Sequence, residues 1–207
     1  ESLASLVGSE MCIRDRFCLV TIKVSAIEKV ILFGDSLMAG YGLPNEQHLS
    51  IVLQKSLEFD GHNIEIINGS VSGSTSAGGL NIAEWTLSEN NIDLMILCLG
   101  ANDMLRGINP KETKNNLEEI IEIAKNKNIK VIIAGMIAPT SYGYAYKKSF
   151  DKIFSDLSKK HKLQLIPFLL EGVAQKPEFN LSDGMHPNDR GTIIIGNTLK
   201  KAILKNL

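Results

Sequence analysis

From Ile27 onward, short apolar runs alternate with longer segments in which apolar side chains recur at helical spacing. The runs are rich in Val, Ile and Leu and predict buried strands at 29–33, 64–67, 94–99, 130–134 and 163–166. Helices are predicted between them over 49–59, 76–88, 110–128 and 146–160, with a last one over 188–204. Strands that alternate with helices predict an α/β fold with a five-stranded parallel sheet, because a parallel neighbour is reached only through a long crossover. Some boundaries carry their own signals. Asn109 before Pro110 is an N-cap followed by a proline at the first helical position, where its missing N–H costs nothing. In that helix Leu117, Ile120, Ile121 and Ala124 share one face, and Glu118, Glu119, Glu122 and Lys125 face water.

In such sheets ligands bind beyond the carboxyl ends of the strands. Four motifs lie at those ends: Gly34-Asp35-Ser36, Asn68-Gly69-Ser70-Val71-Ser72-Gly73, Gly100-Ala101-Asn102-Asp103 and Met136-Ile137-Ala138-Pro139-Thr140. A serine hydroxyl becomes a nucleophile when a base takes its proton and a third group orients that base. Ser36, His186 and Asp183 are of the right types, since a short Asp-x-x-His turn lets a carboxylate bind one imidazole nitrogen and leave the other free. The backbone N–H groups of Ser36 and Gly73 and the side-chain amide of Asn102 are candidate donors to an oxyanion.

Each residue also has a structural reading. Ser36 is as readily a helix N-cap, Gly73 a turn residue, Asn102 a cap, and Asp183 and His186 loop residues before the last helix. His48, His62 and His161 read as surface residues, Asp35 as the residue that fixes its turn, and Arg106 as one half of a surface salt bridge. The Gly-rich stretch 72–79 lacks the Gly-Lys-Ser/Thr ending of a phosphate loop and the spacing of a dinucleotide fingerprint, which argues against nucleotide binding.

Composition narrows the field. With 207 residues, 44% hydrophobic and 22% charged, the chain suits one domain, assigned to 27–207. A net charge of −1 with Lys and Glu interspersed offers no footprint for nucleic acid or an anionic membrane surface. The apolar stretches are too short to span a bilayer, so no stable membrane insertion is expected. Cys12, Cys18 and Cys98 form no metal-ligand spacing with histidine, and Cys98 reads as a small core residue. Residues 1–16 fit neither strand nor helix, and Met11-Cys12-Ile13-Arg14-Asp15 looks like the translation of a sequencing-library transposon end. Residues 17–26 resemble the end of a secretory signal with Val24-Ser25-Ala26 as cleavage site, which predicts a periplasmic or secreted protein; without that signal it would be cytoplasmic.

Ser36 in Gly-Asp-Ser-Leu, Gly73 in Val-Ser-Gly-Ser-Thr, Asn102 in Gly-Ala-Asn-Asp and His186 in Asp-Gly-Met-His-Pro stand in the order of the SGNH (GDSL) hydrolases, which the chain resembles over 29–204. Within them it is most similar to the bacterial thioesterase I, arylesterase and lysophospholipase group, typically periplasmic, through the stretch from Gly34 to Pro44, Leu105-Arg106-Gly107, and Pro139-Thr140-Ser141-Tyr142-Gly143 with Tyr146 and Phe150. The resemblance implies a flavodoxin-like three-layer α/β/α sandwich, a Ser36/Asp183/His186 triad and an oxyanion hole from Ser36, Gly73 and Asn102. It also implies two-step acyl transfer on carboxylic esters and thioesters without metal or organic cofactor. Ser74 stands where members often carry Asp, a difference that bears on how the Gly73 loop moves. Ile137, Pro139 and Tyr142 are candidates for an acyl groove by position, and a monomer or weak oligomer is expected. Two alternatives are a carbohydrate acetylesterase with a more polar pocket and a non-catalytic lipid-binding module of the same fold.

Overall fold

Strand β1 (Lys29–Gly34) is buried from Val30 onward because both its faces are covered by helices and both its edges are paired. It pairs in parallel with β2 (Glu65–Asn68) on one side and β3 (Leu94–Cys98) on the other. Strands β4 (Lys130–Ala134) and β5 (Gln164–Ile166) extend the sheet beyond β3, giving the order β2-β1-β3-β4-β5. These elements come from a computed structural model that describes residues 27–88 and 91–207. The readings made for 1–26, the library scar, the secretory signal, Cys12 and Cys18, lie outside the described residues.

The helices are α1 (Ser36–Ala39), α2 (Leu49–Phe59), α3 (Ser76–Thr86), α4 (Ala101–Leu105), α5 (Pro110–Asn126), α6 (Tyr144–His161) and α7 (Asp189–Leu204). The chain steps from β1 outward to β2, then returns across β1 to β3. With crossovers of one hand, that reversal sends α2 to one face and α3, α5 and α6 to the other. Packing follows suit: α2 lies against α7, α3 against α5, and α5 against α6. The result is the three-layer α/β/α sandwich of flavodoxin-like order, whose strand order reverses between β1 and β3, where ligands are accommodated.

Each predicted strand and long helix is present, with ends displaced by less than a helical turn. Asn109 caps α5 as predicted, its side chain accepting from the Lys111 N–H at 3.0 Å. Two short helices, α1 and α4, were not predicted. Each is too brief to show a periodicity, yet they open directly after β1 and β3 and turn Ser36 and Asn102 toward the switch point. Between β4 and α6 the loop holding Ile137 is pinned from α6. Asp151 accepts from the Ala138 N–H at 2.9 Å, and Lys147 donates to the Ala138 carbonyl at 2.6 Å.

Candidate active site

Gly34 ends β1 in close approach to β3: a Cβ there would lie 2.7 Å from the Cys98 carbonyl. Asp35 then caps α1, its Oδ1 accepting from the Leu37 N–H at 3.1 Å. Ser36 is therefore the first residue of α1 and not its cap, which removes the structural reading of this serine. Its side chain is half-buried, and its Oγ lies 2.9 Å from His186 Nε2.

The histidine arrives from the loop before α7. An antiparallel bridge between Asn180 and Pro187 closes that loop, and the Leu181 N–H donates to the His186 carbonyl at 2.7 Å. Inside it, Asp183 Oδ1 accepts from the N–H groups of Met185 at 2.8 Å and His186 at 3.0 Å. Asp183 Oδ2 lies 2.7 Å from His186 Nδ1. Three residues of chain are thus enough to fix the imidazole edge-on to its carboxylate, with Nε2 turned to Ser36. The backbone N–H of His186, aided by the Met185 N–H and the imidazole, holds the Asp183 carboxyl down at about 2 and outweighs the desolvation that raises it. The carboxylate stays ionised through any neutral-pH proton transfer at the ring.

The expected oxyanion donors come from the three neighbouring loops. The N–H groups of Ser36 and Gly73 donate to no backbone carbonyl among the described residues. Gly73 has φ +79°, a conformation that suits glycine, and its carbonyl accepts from the Arg106 guanidinium at 3.0 Å. Asn102 Nδ2 lies 3.3 Å from Asp35 Oδ2. Beneath them Asp103, fully buried, joins three helices. It accepts from the Ser76 N–H at 2.7 Å, from the Ser76 hydroxyl, and from the Thr113 hydroxyl at 3.1 Å. Asn116 completes this cluster by donating to Ser76 Oγ at 2.9 Å.

A proton relay from a serine to a histidine and a buttressing carboxylate, beside unbonded N–H groups, is chemistry suited to attack on an acyl carbon. The profile of the GDSL-like Lipase/Acylhydrolase family matches residues 32–192. The chain belongs to this family. It is 36% identical over 191 residues to an arylesterase of Vibrio mimicus, covering 92% of this chain and 95% of that protein. It is 30% identical over 185 residues to thioesterase 1/protease 1/lysophospholipase L1 of Escherichia coli strain K12, covering 89% of this chain and 88% of that one. The crystal structure of TesA superposes with a TM-score of 0.82 at 32% identity, over 87% of this chain and 100% of its own.

In this SGNH-hydrolase frame, several side chains play parts that the sequence did not disclose. The Tyr41 ring lies 4.4 Å from the His186 ring, tilted by 37°, and covers the imidazole from the loop after α1. Tyr142 is half-buried and stacks on Tyr146 at 5.5 Å, which stacks in turn on Phe150. Tyr146 also donates its hydroxyl to the Ile108 carbonyl at 3.0 Å. This ladder ties the β4–α6 connection to the segment after α4. Ile137 and Pro139 remain exposed past the end of β4, on the sheet edge that carries Ser36 and Asn102.

Two histidines depart from the surface reading. His48 is half-buried, with Nε2 3.0 Å from the Leu43 carbonyl and its ring filling the space beside Gly40. The His161 side chain is only 4% exposed, because α6 delivers it between two carboxylates of α5. Its Nε2 lies 2.6 Å from Glu118 and its Nδ1 3.5 Å from Glu122. Among the described residues, these three make the group nearest to metal-ligand geometry. Both ring nitrogens face a carboxylate and Lys160 shares the Glu118 oxygen at 2.6 Å, so Lys160 and His161 together tie α6 to α5. Arg106 likewise departs from its reading as half of a salt bridge, since its partner is the Gly73 carbonyl. A cleft of about 640 Å³, lined by Lys29, His62, Glu65 and Leu207 among others, opens at the amino ends of the strands, away from Ser36.

Proposed function

We propose that Ser36 is the nucleophile of this acylhydrolase, His186 its general base and acid, and Asp183 the group that orients and charges against the imidazole. The observation that carries this reading is the continuous relay from Ser36 Oγ through His186 to Asp183, with distances of 2.9 and 2.7 Å. Ser36 attacks the carbonyl carbon of an ester or thioester while His186 Nε2 takes the hydroxyl proton. The tetrahedral oxyanion is met by the N–H groups of Ser36 and Gly73 and by Asn102 Nδ2, and collapses as His186 protonates the departing alkoxide or thiolate. Water, deprotonated by the same histidine, then releases the acid and restores Ser36. No metal or organic cofactor is called for by these steps.

The substrates proposed are carboxylic esters and thioesters of the arylesterase, acyl-thioesterase and lysophospholipase types, in line with the names of the relatives. Ile137, Pro139 and Tyr142 are proposed to flank the acyl chain, supported by the pinned, outward-facing loop after β4 and the half-buried Tyr142 ring. Replacing Ser36 with Ala is expected to lower ester hydrolysis by about 10⁴-fold or more. A p-nitrophenyl ester assay reads this directly, with an organophosphonate expected to label Ser36 in the parent chain. Near-normal turnover in the variant, or an adduct on another residue, overturns the assignment. A panel of medium-chain p-nitrophenyl esters, acyl-CoA, lysophospholipid and acetylated sugars then ranks the substrate classes.

A further inference from the structure

Asp35 is a fully buried carboxylate beside the site that the reaction steps leave without a role, and unlike the equally buried Asp103 beneath it, it bonds the Asn102 side chain. Its Oδ1 is occupied by the Leu37 N–H, and its Oδ2 faces Asn102 Nδ2 at 3.3 Å. A carboxylate has only acceptors, whereas a primary amide carries donors on one end and an acceptor on the other. An ionised Asp35 therefore tolerates one orientation of the Asn102 amide: nitrogen toward itself, oxygen away. Asn102 Nδ2 has a second hydrogen, and no protein acceptor takes it among the described residues. Turned over, the same amide would aim a carbonyl oxygen where a donor is needed.

We propose that Asp35 is a positioning residue for the oxyanion hole, which holds the Asn102 amide in the donor orientation by accepting its other N–H. The proposal rests on Asn102 serving as an oxyanion donor. Burial is the source of its force. Asp35 itself is fully buried, so an amide presenting oxygen to its carboxylate has little solvent to soften the repulsion, and the wrong orientation is disfavoured. The groups that face Asp35 are His186, Asp103 and the buried Cys98, and the desolvation that raises its carboxyl to about 6 outweighs the two hydrogen bonds that lower it. Asp35 is ionised, and able to orient Asn102, above that value and less so below it.

The test is a double-substitution cycle on the full chain. Asp35→Asn keeps the volume and a capping oxygen for Leu37, and it offers Asn102 an N–H in place of a lone pair, inviting the amide to turn over. Asp35→Asn and Asn102→Ala are each expected to lower kcat about 10²–10³-fold, the scale of a lost oxyanion donor, with KM changed by less than about threefold. In the Asn102→Ala background, Asp35→Asn is expected to cost less than about threefold more, because the amide it positions is gone. The acid limb of the kcat profile attributable to Asp35 should disappear in Asp35→Asn. Asp35→Ser, which retains a cap oxygen but is too short to reach Asn102, repeats the cycle independently of how Asn packs at this position. A loss from Asp35→Asn that is undiminished in the Asn102→Ala background, or absent while Asn102→Ala is impaired, overturns the positioning role and leaves the oxyanion assignment standing. Wild-type kcat in Asn102→Ala overturns both.

Discussion

Asp183 shows how much a single residue can be asked to do by its place in a turn. One oxygen takes two backbone N–H groups and the other takes the imidazole, so the carboxylate that shapes the turn also sets the ring's tautomer. Asp183→Asn leaves an oxygen for the turn and places an N–H against Nδ1, which favours the tautomer with its proton on Nε2. That nitrogen can then no longer accept the Ser36 proton. kcat is expected to fall about 10⁴-fold with little change in KM, measurable on a p-nitrophenyl ester, and a loss below about tenfold would contradict the role. Ser36, His186 and Asp183 were legible in the sequence as candidates, because Asp and His are separated by a short turn and Ser36 follows a strand. Tyr41 over His186, Arg106 on Gly73 and Asp35 on Asn102 were not, since each joins side chains with no local spacing to announce the pairing.

At the scale of elements, the proposed donors to the oxyanion are only as well placed as the helices that carry them. Gly73 leads into α3, Asn102 sits in α4, and Asp103 joins both to α5 through Ser76 and Thr113. Asp103→Ala would strand the Ser76 N–H and the Thr113 hydroxyl in a buried setting, at about 1–3 kcal/mol for each orphaned group. Stability is expected to drop by about 3 kcal/mol in urea unfolding, with kcat falling alongside as the two loops lose their common anchor. A change under about 1 kcal/mol would show that the cluster is not what holds them. The long helices were readable from their periodic apolar faces. The short helices α1 and α4 were not, because each covers too few residues to display a face, and their existence depends on the strand end and cap from which they start.

Over the whole molecule, two carboxyls pull stability in opposite directions with pH. Folding raises Asp35 from 3.8 to about 6, so between these values the folded chain binds the extra proton, and stability falls as pH rises through about 6. Asp183 is lowered to about 2, so what it contributes is complete above 3.8 and is lost as pH falls through about 2. Asp35→Asn removes the first of these dependences. The loss of unfolding free energy between pH 4 and pH 7 is therefore expected to be smaller in that variant than in the parent, by urea denaturation at each pH. Identical losses would mean that Asp35 is not buried as an acid. The charge at Asp35 is thus kept at some cost in stability at neutral pH, at the place where the strand order reverses and the site is assembled.

Apolar periodicity, strand-end motifs and cap residues act over a few positions, so the amino-acid sequence alone determined the alternating elements, the parallel sheet and the residue types that make an acylhydrolase. Tertiary structure decided which of those residues meet. Bringing Ser36 to His186, Asn102 to Asp35 and Gly73 to Arg106 requires loops from different strands to converge at one edge of the sheet, and that convergence follows from strand order and helix packing, properties of the folded whole that no local stretch encodes.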